Sequence, residues 1–102
     1  MPVYLIIEIT VKDRELYAKY VEKVPAIIEK YGGKYLARGG RVTTLMGGWN
    51  PERIILIEFD TVEQIHKCFQ AKEYLEIAPF REQSTTSRSI IVEGYAPPGE
   101  DA

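Results

Sequence analysis

Four charged residues deserve chemical scrutiny because of the company they keep. Glu8 is the last residue but one of the run Val-Tyr-Leu-Ile-Ile-Glu-Ile (3–9), and Glu58 holds the same place in Arg-Ile-Ile-Leu-Ile-Glu-Phe (53–59). Arg38 and Arg88 occupy matching places further along the chain. An ionised group among apolar neighbours has to be paired or used, since leaving it alone is costly. Two carboxylates sharing a partly desolvated chamber push one of their pKa values upward, which suits general acid or base catalysis. A guanidinium nearby offers a planar fork of donors for an anion. Two readings therefore stand side by side. In one, Arg38 or Arg88 captures a small anionic molecule, and Glu58, with Glu8, handles its protons. In the other, each Glu pairs with an Arg, within the chain or across a dimer, and the charges only fix register. Tyr4, Tyr35 and Trp49 are the aromatics placed to wall such a pocket. Tyr35 is out of phase with Arg38, which allows it to face the other side of its strand.

Other chemistry finds less support. His66 is the single histidine and sits between Ile65 and Lys67 on an expected helix, as a surface residue does. No second His or Cys stands at metal-ligand spacing, so neither a metal nor another cofactor is expected. Cys68, the single cysteine, falls on the apolar side of the same helix and reads as core. It excludes an internal disulfide. Gly39-Gly40 lacks the strand-to-helix context of a phosphate loop and reads as a bend or bulge. Tyr17, Tyr20 and Tyr31 fall on a helical stripe and read as core with a hydrogen-bonded tip.

The elements that position these residues follow from pattern. Residues 3–9 form a strand. Asp13 caps a helix whose stripe runs through Leu16, Tyr17, Tyr20, Val21, Val24, Ile27, Ile28 and Tyr31. Pro25 lies within it, removes the bond to the Val21 carbonyl and is expected to kink it. Gly32-Gly33 ends it. A second strand starts at Tyr35–Arg38, bends at Gly39-Gly40 and is expected to resume through Val42–Met46. The third covers Arg53–Phe59. Thr61 and Gln64 make a capping box for a second helix. A broken stretch through Tyr74, Ile77 and Pro79 leads to the last strand, about Ser87–Glu93.

The halves repeat at an offset of 50 residues, Tyr4–Ile9 answering to Ile54–Phe59 and Arg38 to Arg88. A duplicated βαβ unit gives a ferredoxin-like α+β fold, βαββαβ, with two main helices on one face of a four-stranded sheet. Strands one and three are expected parallel in its centre, which would set Glu8 and Glu58 at equal height. Alternation assigns Val3, Leu5, Ile7, Ile9, Ile55, Ile57 and Phe59 to the helix-covered face. Tyr4, Ile6, Glu8, Ile54, Leu56 and Glu58 form the other, too apolar to meet water; the two arginines are assigned to it as well. A second copy, packed sheet to sheet, is its simplest cover. A homodimer follows.

The N-terminal strand, Asp13 with Tyr17 and Tyr20, Tyr-Leu-Ala-Arg-Gly-Gly (35–40), Gly48-Trp49, Glu58-Phe59, Glu73-Tyr74, Arg81 and Val92-Glu93-Gly94 resemble domain-of-unknown-function family 1330. The resemblance spans residues 2–95. It implies the dimeric α/β-barrel superfamily, whose members include antibiotic-biosynthesis-type monooxygenases, muconolactone isomerases, haem-binding dismutases and stress-induced dimers. It brings no catalytic residue with it, and Ala71 stands where the family usually has Ser.

The 102 residues make one domain over 1–95 and a polar tail over 96–102 that is expected disordered. A net charge of −2 with scattered Lys and Arg argues against nucleic acid. No apolar run approaches the ~18 residues of a membrane span, and no signal peptide opens the chain, which points to the cytoplasm. Two functions compete: a cofactor-independent enzyme, monooxygenase- or isomerase-like, moving protons on a small organic acid, and a non-catalytic, stress-associated binding dimer.

Overall fold

The computed structural model describes residues 1–96. Its elements run β1 (Val3–Val11), α1 (Arg14–Lys30), β2 (Lys34–Arg38), β3 (Arg53–Phe59), α2 (Val62–Gln70), α3 (Lys72–Ser84) and β4 (Thr85–Glu93). The strands form one sheet in the order β2-β3-β1-β4. This is the ferredoxin-like α+β fold, with three helices rather than two.

Local signals set the helix starts. Asp13 Oδ1 accepts from the Leu16 amide at 3.1 Å, satisfying an otherwise orphaned donor at the head of α1. At α2, Thr61 and Gln64 cap each other's backbone as their spacing predicts. Helix α3 has no such cap, and it occupies the stretch the sequence suggests is broken. Pro79 withholds one amide there, but the carbonyl it leaves free belongs to exposed Leu75, where water can reach it. Nothing forces the helix to stop.

All neighbouring strands are antiparallel, so the expected parallel pairing of β1 with β3 is wrong. The crossover through α1 returns β2 parallel to β1, and β3 turns back from β2 to slot between them. The faces survive this change, because partners across a ladder share a side. Val3, Leu5 and Ile9 with Ile55, Ile57 and Phe59 are buried under the helices, beside Tyr17, Tyr20, Val24, Ile28, Ile65, Cys68, Tyr74 and Ile77. Burial pushes the Cys68 thiol up to about 11, leaving it inert at neutral pH. No described helix is long and apolar enough to cross a membrane.

Residues 39–52 form no strand, contrary to the expectation for Val42–Met46. They arch away as a loop fastened at both roots. Gly39 donates to the Ile54 carbonyl at 3.3 Å, and the Val11 amide donates to Glu52 Oε2 at 2.8 Å. Gly39 has a φ of +72°, and a Cβ there would fall 2.0 Å from Arg53 Nη1. The left-handed backbone favours glycine at that root, and any side chain there would also have to displace the Arg53 guanidinium. From residue 97 onward the tail lies outside the described residues.

Candidate functional site

The two faces of the sheet carry different polar groups. On the helix side a cavity of about 600 Å³ opens between the helices and the strands. Arg38, Arg53 and Arg81 line it together with Tyr17, Tyr20, Tyr74 and Ser87.

Each arginine is held by a different local device. Arg38 faces the helices because of a bulge: Tyr35 pairs with Ile57, while Ala37 pairs with Leu56 and Arg38 with Ile55. One extra residue, Leu36, reverses the alternation beyond it. Tyr35 and Arg38 therefore lie on the same side, and the expectation that Arg38 shares a face with Glu8 fails. The guanidinium stacks over the Tyr35 ring at 5.1 Å. It also reaches the Val21 carbonyl at 3.4 Å, the acceptor that Pro25 leaves vacant one turn later. Burial raises the Tyr35 hydroxyl to about 12 despite the cation beside it.

Arg53, the first residue of β3, donates Nε to the Tyr17 hydroxyl at 3.2 Å and lies 5.7 Å from that ring's centre. Arg81, in the last turn of α3, donates Nε to Tyr74 at 3.2 Å and Nη1 to Ser87 Oγ at 2.8 Å. The Tyr74 hydroxyl in turn sits 3.0 Å from that of Tyr20, buried. Burial, reinforced by Tyr74, raises the Tyr20 pKa, so this phenol stays protonated.

Counting protons shows what the chamber lacks. Tyr20 and Tyr74 own two hydroxyl protons, of which their mutual bond uses one. Arg81 only donates, so it cannot accept the other. Tyr17 likewise accepts from Arg53 and keeps its own proton. The chamber thus holds more donors than acceptors, and more cations than anions. Its one lining carboxylate, Glu82, is 63% exposed and 4.0 Å from Arg81. Among the described residues, Arg38 and Arg53 form no salt bridge.

On the open face, Glu8 pairs with Arg88 across β1 and β4, with Nε donating to Oε1 at 2.7 Å. Glu58 lies opposite Tyr4, four residues along the strand from Glu8, hence roughly 13 Å away. The two carboxylates do not share a chamber, because antiparallel pairing sends equivalent residues to opposite ends. Trp49 comes back from the loop to form a shallow groove of about 260 Å³ with Ile6, Glu8, Ile54, Arg88 and Ile90. Of the residues expected to bind a ligand, Tyr35 and Arg38 lie by the helix-side chamber. Arg88 and Trp49 share the open-face groove, and Tyr4 stands on the same face beyond it. His66 is exposed on α2.

Sequence reasoning passed over Arg53 and Arg81 as site residues and read Tyr17 and Tyr20 as core. The tyrosines are indeed buried, with hydrogen-bonded tips, yet they line the cavity. The signal was weak: an arginine at the head of an apolar strand, and another opposite a tyrosine seven residues earlier on α3.

The ferredoxin-like sheet thus has a helix-covered chamber on one side and a part-exposed, mostly apolar face on the other. The chain belongs to the Domain of unknown function (DUF1330) family, which it matches over residues 2–95. It is similar in structure to RPA0582, a protein of unknown function from Rhodopseudomonas palustris, at TM-score 0.78 and 20% identity, covering 94% of this chain and 84% of that one. SnoaB, a cofactor-independent oxygenase from Streptomyces nogalater, superposes at TM-score 0.65 with 13% identity over 97% and 98% of the two chains. A putative antibiotic biosynthesis monooxygenase from Nitrosomonas europaea gives 0.61 with 17% identity, over 94% and 100%. At these identities the likeness is one of fold. No curated protein matches the chain.

Proposed function

We propose that the protein binds a small organic anion, a carboxylate or an ionised enol or phenol, between its helices and its sheet. The observation that carries this reading is the excess of donors. Three guanidinium groups and unspent tyrosine protons converge on an apolar chamber that offers one rim carboxylate in return. An anionic oxygen supplies the missing acceptors, and low-dielectric walls strengthen the attraction. The aromatic rings and Ile7, Val21 and Ile55 favour a ligand with a flat apolar body. Two copies pair through their open faces, whose part-exposed Tyr4, Ile6, Ile54 and Leu56 leave no clean polar side.

A second reading has the bound anion react as well. The shared fold with a cofactor-independent oxygenase favours it, and Arg81 with Tyr74 would then steady the developing oxyanion. Proton removal would fall to Glu82, the one lining carboxylate.

Calorimetric titration with benzoate tests the first reading. Arg53→Gln should weaken binding about tenfold or more, the loss of one charge-assisted hydrogen bond, while Arg88→Gln leaves it unchanged. Equal effects of the two substitutions, or an effect of Arg88→Gln alone, would move the site to the open face.

A further inference from the structure

The loop between β2 and β3 is built unlike a solvated connection. From Val42 to Asn50 it carries no charged residue, in a chain that is 27% charged. It exposes Leu45 (91%) and Met46 (82%), with Val42 and Trp49 also open to water. Yet it is closed on itself. Thr44 Oγ1 lies 2.6 Å from both the Trp49 carbonyl and Asn50 Oδ1, and Asn50 Nδ2 donates to the Gly48 carbonyl at 3.1 Å. Gly47 and Gly48 turn its tip with φ of +83° and +66°. With both roots also fastened, the loop is held out as an arm.

We infer that this arm docks on a second copy of the chain and buries Leu45 and Met46 there. The inference rests on the sheet-to-sheet pairing proposed above. Area is the first argument. Four strands ~4.8 Å apart and about seven paired residues long give a flat footprint of roughly 450 Å², and the arm's exposed apolar side chains add to the accessible surface a partner can bury toward the ~800 Å² per side of a stable interface. The arm supplies apolar surface where the sheet runs out. Continuity is the second. Trp49 joins the arm to the open face through Ile6, Ile54 and Ile90, so one partner can cover both surfaces. A two-fold contact requires each copy to offer both a covering and a covered patch; here the arm would be the first and the margin of the partner's open face the second. The uncharged tip also meets no repulsion from a copy of the same net charge.

Sedimentation velocity across the micromolar range tests this with the wild type and the double variant Leu45→Ser/Met46→Ser. Neither side chain packs on its own fold, so far-ultraviolet circular dichroism should be unchanged. The wild type should sediment at twice the chain mass, and the variant's dimer dissociation constant should rise about tenfold or more. A wild-type dimer whose stability the variant leaves untouched overturns the arm's role alone. A monomeric wild type overturns the pairing as well. An intact variant dimer that has lost benzoate affinity would make the arm a cover for the chamber, and the inference wrong.

Discussion

The two sides of the sheet carry comparable numbers of charged side chains and treat them differently. On the open face Glu8 answers Arg88 at 2.7 Å, and the arginine side chain is 76% exposed. Glu58 and Lys34 are cross-strand neighbours at the other end. On the helix side Arg53 and Arg81 donate to hydroxyls, and Arg38 to a backbone carbonyl, with exposed Glu82 at 4.0 Å from Arg81 as the one acid near them. A carboxylate neutralises a guanidinium; a phenol orients it and leaves its charge available. On the proposed reading the open-face charges set register, and those of the chamber stay available to a ligand.

Arg81 should show the contrast most strongly. It bridges Tyr74 on α3 and Ser87 on β4 from a half-buried position, so Arg81→Met should cost about 2–3 kcal/mol of stability, as lost bonds to a charged donor do. Benzoate affinity should vanish with it; urea unfolding and calorimetry read the two effects. Tyr74→Phe separates them, because Arg81 keeps Ser87 but the phenolic relay to Tyr20 is gone. Its main effect should fall on affinity, and a purely structural loss would make the relay packing only.

Pro25→Ala should be smaller and of mixed sign. The restored amide takes back the Val21 carbonyl, raising stability by about 1 kcal/mol as one net hydrogen bond, while Arg38 loses its anchor. Benzoate affinity should fall about two- to threefold as that arginine slackens. An affinity left unchanged would detach Arg38 from the site. Arg88→Gln should cost no more than about 1 kcal/mol, the range for an exposed ion pair, and should spare the ligand.

Acid should reveal the smallest effect at neutral pH. Hydrogen bonds from Lys30, its own backbone and Tyr31 hold the Glu73 carboxyl down at about 2, clipping the end of α1 to the start of α3. Its folded pKa lies below the ordinary 4.5. The stabilisation is therefore complete above that value and lost as pH falls toward 2. Thermal melts of Glu73→Gln should show a flatter decline across that window than the wild type, and parallel curves would exclude the clip.

Features carried by neighbouring residues were legible in the sequence. The Asp13 cap, the Thr61–Gln64 box and all of β3 follow from spacing within a turn or a strand. So does the division of β1 and β3 between two faces. What depended on distant partners was not. A single bulged residue, Leu36, turned Arg38 over, and no periodicity marks a bulge in a five-residue strand. The repeat matched Glu8 to Glu58 in sequence, but a match says nothing of direction, and antiparallel pairing sets the two apart. Pro79 suggested a break that exposure of Leu75 makes unnecessary. Arg53 and Arg81 gave no local sign of their use, because their hydroxyl partners sit on other elements or two turns away.

The central claim is that the free donors lie on the helix side, and the arginine Nε–H resonances test it most directly. In a ¹H–¹⁵N titration with benzoate, the Nε–H signals of Arg53 and Arg81 should shift with one common saturation curve while that of Arg88 stays in place. Movement of Arg88 and the Trp49 indole, with Arg53 and Arg81 still, would contradict it and put the ligand on the open face.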